Sequence, residues 1–302
     1  MKIGIDIGGS HIGVGLINKA GKIIEKEEKD LLASLQKENY TEILVSTIVS
    51  LITKILEKQN IDITLIELIG IAVPGTVSET DIVKAENLHI RNFNIVAEIN
   101  KYFNIPIQLR NDAKCAAVAE KTYGSLSNVS DAVFLTIGTG IGGAVFLDDK
   151  LLRPKKFEGF EIGHMIIKKN GIKCNCGNHG CFERYASIRV LKEKLSKLYK
   201  KNLTIVELKE ILLNVEKNEK TKRIVEEYIE NLSIGIANVI NIFEPETISL
   251  GGSFSYYKEQ LLPRLKNSLT NNNLLFNDGK LPNIVVAELK NDAGMIGSII
   301  ID

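Results

Sequence analysis

The sequence has almost no net charge to spend on a partner. Its 302 residues carry 38 Lys and Arg against 37 Asp and Glu, a formal net charge of +1. No broad positive field exists to hold nucleic acid or an anionic membrane, and basic residues do not interleave with aromatics. Nucleic acid and membrane are therefore excluded as partners, and with them a zinc-stapled nucleic-acid binder. No apolar run approaches the roughly 18 residues that a membrane span requires. The opening MKIGIDIGGSHIGVGLI has the outline of a signal peptide, but Asp6 and His11 interrupt its apolar stretch and no small-residue cleavage site follows. A cytoplasmic location is expected, and in a reducing compartment clustered thiols more often mean metal than disulfide. There is no G-x-x-x-x-G-K-[ST], which excludes a P-loop enzyme, and no C-x-x-C, which weakens a redox reading.

What is present is enough apolar residue for a substantial core, 44% of the chain, and a length that suggests two domains. KIGIDIGGSHIGVGLINKAGKIIEKEE reads as three short strands separated by turns. In YTEILVSTIVSLITKILEKQ, Leu44, Ile48, Leu51 and Ile55 fall at helical spacing over about five turns. Buried-strand runs end at Pro74-Gly75 and at Asn111-Asp112, the second leading into an alanine-rich helix, and the segment from about 189 to 243 is charge-laced helix with a solvated face. Alternating strands and helices indicate an α/β architecture. The opening pattern then restarts: VFLTIGTGIGGAVFLDDK lies on the N-terminus at a constant offset of 130, with Ile7 on Ile137, Gly8 on Gly138 and Gly13 on Gly143. Two related lobes are expected.

Three features carry chemistry. GTGIGG (138–143) follows a strand but leads into AVFLDD, too short and too strand-like for the helix that a dinucleotide-binding loop needs, so the Rossmann reading fails. A hairpin with glycine at its tip instead presents backbone N–H groups to phosphate oxygens. Gly8 and Gly9 with Ser10 and His11, and Gly138, Thr139, Gly140 and Gly142, form two such hairpins, while Gly251-Gly252 ends another apolar run and could admit a flat base. Asp6 closes the first strand beside its turn, where a carboxylate could hold Mg2+ directly or through water. Asn111-Asp112 stands at a strand-to-helix junction, the place of an N-cap and equally of a general base, Asp112, with Asn111 orienting the substrate. Finally, Cys174, Cys176 and Cys181 with His164 make a Cys₃His set, the composition of a closed structural zinc (Zn2+) site. His179, inside the loop, is the alternative fourth ligand, with His164 preferred.

DIGGSHIGVGLI, AVPGTV, NDAKCAA, IGTGIGGAVF, GFEIGHM, CNCGNHGCFERYAS, ISLGG and NDAGMIGS resemble, in order and spacing, the ROK family of sugar kinases and sugar-responsive repressors, over essentially the whole chain. The resemblance implies an actin-like/hexokinase-like (ribonuclease H-like) fold with duplicated lobes, here 1–110 and 111–290, and a C-terminal helix at about 291–302 returning to the first. It also implies ATP and Mg2+ as cofactors, and a homodimer or homotetramer. It makes Asp112 the catalytic base, places Asn111, Glu161, His164 and Glu183 on sugar hydroxyls with Gly75 and Asn87 lining the sugar pocket, and gives the zinc ligands as His164, Cys174, Cys176 and Cys181. Ser10 and His11 depart from the common DIGGTK, where threonine and lysine stand.

The expected function is an ATP-dependent kinase for the 6-hydroxyl of a hexose, glucose first, with an N-acetylmannosamine or other hexosamine kinase as the alternative. A sugar-sensing regulator of the same family carries a helix-turn-helix region before the first glycine hairpin. Here the first strand begins within two residues of Met1, which leaves no room for one. Zinc is expected to fix the loop that carries the sugar-reading groups and to take no part in the chemistry.

Overall fold

The computed structural model describes residues 1–300 apart from Ser10, 32–33, 35–37, 154–160, 273 and 277–279. Among these residues the backbone forms two five-stranded sheets and a three-stranded one, spread over two compact units. No helix among them is long and apolar enough to cross a membrane.

The first unit contains β1 (Lys2–Ile7), β2 (His11–Ile17), β3 (Ile23–Asp30), α1 (Tyr40–Gln59), β4 (Leu68–Val73), β5 (Thr76–Val77), β6 (Ile82–Ala85), β7 (Ile90–Phe93), α2 (Ile95–Asn100), β8 (Ile107–Asn111) and α3 (Asp112–Tyr123). Its large sheet runs β3-β2-β1-β4-β8, with β1 antiparallel to β2 and parallel to β4, and β4 parallel to β8; β5, β6 and β7 make the small sheet. β4 reads LIGIAV and is buried along its whole length, as a central parallel strand covered on both faces must be. α1 buries the expected stripe of Leu44, Ile48, Leu51 and Ile55 and ends at Asn60 in the left-handed conformation.

A short C-terminal helix, Ala293–Ser298, packs on β1, β4 and α3; it is briefer than the expected 291–302. The approach is close enough to demand glycine. A Cβ on Gly70 would stand 2.1 Å from the Ser298 carbonyl oxygen, and one on Gly297 would stand 1.7 Å from that of Cys115. Lys2 Nζ donates to Ile299 O at 2.9 Å and Gln108 Nε2 to Ser298 O at 2.9 Å, satisfying carbonyls that the short helix leaves open.

The second unit contains β9 (Ala132–Ile137), β10 (Ile141–Leu147), β11 (Lys150–Leu151), α4 (Glu183–Ala186), α5 (Ile188–Tyr199), α6 (Ile205–Leu213), α7 (Glu219–Phe243), β12 (Thr247–Gly251), α8 (Lys258–Asn271) and β13 (Asn283–Val286). Its sheet, β11-β10-β9-β12-β13, repeats the first strand for strand, including which neighbours are parallel. Each unit has its own core, around Ile5, Ile69 and Ile48 in the first and around Val133, Leu232 and Ile248 in the second. The first unit runs on to Ser127, past the expected division at 110, because β8 pairs with β4 and α3 packs on the C-terminal helix.

The internal repeat differs from the constant offset in one respect. Ile7 pairs with Ile12 across the first turn, and Ile137 pairs with Ile141 across the second. The second turn is one residue shorter, so β1 maps onto β9 with offset 130 but Ile12 maps onto Ile141 with offset 129. Asp6 stands opposite Gly13 and Thr136 opposite Gly142, so Gly13 answers to Gly142 and not to Gly143. Because side chains alternate with period two, that one residue decides which glycines share a face.

Candidate active site and metal centre

In the first unit the carboxyl ends of β1, β4 and β8 lie side by side. Asp6 is level with Ala72, Ala72 with Arg110 and Val73 with Asn111. In open parallel sheets this is where ligands bind. Asn111 is the N-cap of α3: its Oδ1 accepts from Lys114 N at 3.2 Å, and its Nδ2 donates to Gly75 O at 3.0 Å. Asn111 and Gly75, both singled out in the sequence, are thus brought together. Gly75 has φ +99, and a Cβ there would meet Lys84 O at 2.1 Å, so glycine is required twice over. Asn87 is exposed in the 3₁₀ turn Glu86–Leu88 that follows β6. Because Asn111 takes the capping role, Asp112 opens the first turn of α3, half-buried, with Oδ1 accepting from Ala113 N at 2.8 Å.

Asp6 has a strongly perturbed carboxyl. Burial, and next the charge of Asp112, push it from an ordinary 3.8 up to about 7; Lys26 pulls the other way, and Asp292 and Glu28 add to the rise. Lys26 is itself engaged, with Nζ 2.6 Å from Glu28 Oε1 and 2.7 Å from Asp292 Oδ1. A half-desolvated carboxylate with a second one nearby is an environment that favours a cation. In the turn beyond Asp6, Gly8 N donates to His11 O at 2.8 Å, and the exposed His11 ring lies against Gly8, while the space beside Gly9 is open. Ser10 lies outside the described residues.

In the second unit Gly138, Thr139 and Gly140 make the turn between β9 and β10, closed by Gly138 N donating to Gly140 O at 2.9 Å; Gly142 lies within β10 and not in the turn. Gly252 has φ +67 and abuts Thr136 and Ile137, and the space above Gly138 reaches Ser253 Oγ at 3.5 Å. The shorter hairpin and the Gly251-Gly252 corner therefore sit together at the carboxyl ends of β9 and β12. Thr136 occupies the register position that Asp6 holds in the first unit. Sequence reasoning missed one contact: Glu183 Oε2 accepts from Ile141 N at 3.0 Å across 42 residues. No local pattern signals it.

The cysteine cluster has His164, not His179, beside its thiols. The donor atoms of His164, Cys174, Cys176 and Cys181 all lie within 4.8 Å of one another, while His179 is exposed and pairs with Lys173 in an isolated bridge. His164 Nδ1 is 3.6 Å from Cys174 Sγ, and Cys176 Sγ is 3.6 Å from Cys181 Sγ. A tetrahedron with arms of about 2.3 Å has edges of about 3.8 Å, so the set could hold a metal ion of zinc's size with little movement. Burial, with the neighbouring thiols adding, pushes the Cys181 thiol up to about 12. Glu161 is exposed at the start of the 3₁₀ turn Ile162–His164, and its carbonyl accepts from His164 N at 2.9 Å.

A family model described as ROK family matches residues 2–301. The xylose repressor of Caldicellulosiruptor bescii is 30% identical over 310 residues, covering 98% of this chain and 76% of that protein. The glucokinase of Thermotoga maritima is 29% identical over 311 residues, covering 98% of this chain and 95% of that one. Among solved structures, a ROK family glucokinase from Streptomyces griseus in complex with glucose and AMPPNP aligns with TM-score 0.80 at 25% identity, covering 98% of this chain and 97% of that one. The expected α/β fold of the actin-like/hexokinase-like class is the fold of this chain.

Proposed function

Because this chain belongs to the ROK family, we propose that it is a cytoplasmic, ATP-dependent sugar kinase that moves the γ-phosphoryl group of ATP to the 6-hydroxyl of a hexose, glucose first. The observation that carries this reading is the placement of Asp112 and Asp6 at the carboxyl end of one sheet, close enough that the charge on the first raises the pKa of the second. Asp112 takes the proton from the attacking hydroxyl, and Asn111, already tied to Gly75, orients the sugar ring. Asp6 is the group that would hold Mg2+; when bound, the ion neutralises charge on the phosphates. Glycine-rich turns Gly8–His11 and Gly138–Gly140, with Gly251 and Gly252, receive the nucleotide.

Glu161, His164 and Glu183, with Gly75 and Asn87, read the sugar hydroxyls. His164 faces the thiols with Nδ1, so Nε2 is the nitrogen left for a hydroxyl. His164, Cys174, Cys176 and Cys181 would hold zinc with four protein donors, so the ion would serve as scaffold. A homodimer or homotetramer is the proposed assembly. The test is a coupled ADP-release assay across glucose, mannose, fructose, N-acetylmannosamine and N-acetylglucosamine; turnover on none of them removes the kinase reading. The second reading is a sugar-responsive regulator, favoured by the similarity to a xylose repressor. It predicts calorimetric sugar binding, xylose included, with no ADP release.

A further inference from the structure

We infer that the segment from Glu183 to Arg189 is a clamp on the phosphate-receiving turn of the second unit, with Glu183 as its positioning residue. The inference rests on the kinase reading above. The turn is held at both ends by this one segment: Glu183 Oε2 accepts from Ile141 N at 3.0 Å, and Arg189 N donates to Gly138 O at 3.1 Å. Gly140 has the space of a missing side chain filled by that carboxylate, since a Cβ there would stand 2.3 Å from Glu183 Oε2. Its φ is not among the left-handed ones, so the backbone makes no demand for glycine at 140; a side chain there would instead displace the Glu183 carboxylate.

The clamp is rigid because of what precedes it. Cys181, a member of the knot, lies two residues before Glu183; Arg184 N donates to Cys181 O at 2.9 Å, and Phe182 N donates to Met165 O at 2.8 Å. Ser187 caps α5 by accepting from Val190 N, which fixes the other end beside Arg189. A carboxylate can accept several hydrogen bonds at once. One oxygen of Glu183 can therefore hold the turn while the other serves a substrate hydroxyl. Nucleotide affinity thus depends on Glu183 even when no sugar is present, which a residue confined to sugar recognition would not produce.

The experiment is calorimetric titration of the full chain with AMPPNP and Mg2+ in the absence of sugar. Glu183→Ala should weaken binding about tenfold or more, the loss expected for a hydrogen bond to a charged acceptor. Glu183→Gln, whose amide oxygen can still accept from Ile141 N, should recover most of it. Gly140→Ala should weaken binding too, and the double variant Gly140→Ala/Glu183→Ala should be no worse than the poorer single one, because each removes the same contact. Wild-type affinity in Glu183→Ala, or losses that multiply in the double variant, would overturn the clamp while leaving the kinase reading intact. If the wild type itself binds no AMPPNP, the kinase reading falls and the clamp falls with it. Should Glu183→Ala fail to fold, the comparison of Glu183→Gln with Gly140→Ala decides: equal losses in both sink the clamp.

Discussion

Replacing Asp112 by Asn removes a charged proton acceptor while keeping the size and shape of the side chain. α3 is capped by Asn111, not by residue 112, and an amide oxygen at 112 can still accept from Ala113 N as Oδ1 does at 2.8 Å. Helix and sheet should therefore survive, with a melting temperature close to that of the wild type. A positioned general base contributes about 10²–10⁴ in rate, or roughly 3–5 kcal/mol of barrier. kcat in the ADP-release assay should fall by that factor, while sugar affinity measured by calorimetry stays within a few-fold. A second readout is independent of turnover. The Asp112 charge is the next cause after burial for the raised Asp6 carboxyl, so Asp112→Asn should bring Asp6 down from about 7, though not back to 3.8, as followed by carbon-13 NMR. Near-normal turnover would remove Asp112 from the chemistry, and an unmoved Asp6 titration would show that the two carboxylates do not share a site.

Asp6 also links pH to stability. Its folded carboxyl titrates near 7 and its unfolded one near 3.8, so the native state holds the extra proton between these values and stability falls as pH rises through that window. In Mg2+-free buffer, Asp6→Asn should flatten this fall and exceed wild type at pH 8 by up to about 4 kcal/mol in urea unfolding, converging with it near pH 4; parallel curves would refute the assignment. Cys181→Ser, or stripping the metal with a chelator, should lower the melting temperature and abolish measurable sugar affinity, since zinc in small finger peptides is worth about 10–16 kcal/mol; unchanged sugar affinity after verified metal loss would end the scaffold role. Gly297→Ala puts a Cβ 1.7 Å from the Cys115 carbonyl oxygen and should cost about 1–3 kcal/mol by chemical denaturation; a neutral result would show that the C-terminal helix can shift freely.

Much of this was legible in the chain itself. Helical spacing placed Leu44, Ile48, Leu51 and Ile55 on the buried face of α1, and the restart after residue 130 announced a second sheet. Three thiols within eight residues marked a donor cluster that the fold gathers with His164, and Asn111-Asp112 marked a strand-to-helix junction that the fold places at the end of β8. These are local statements: period, turn chemistry and donor type are set by neighbours in sequence, and a side chain's chemistry travels with it. Tertiary structure alone set His164 and not His179 beside the three thiols, moved the repeat's offset from 130 to 129 at the shorter turn, and put the Glu183 carboxylate in the space left by Gly140. It alone brought Asp6 within electrostatic reach of Asp112, over a hundred residues away. Spacing along a chain limits what can meet; packing and backbone register choose what does.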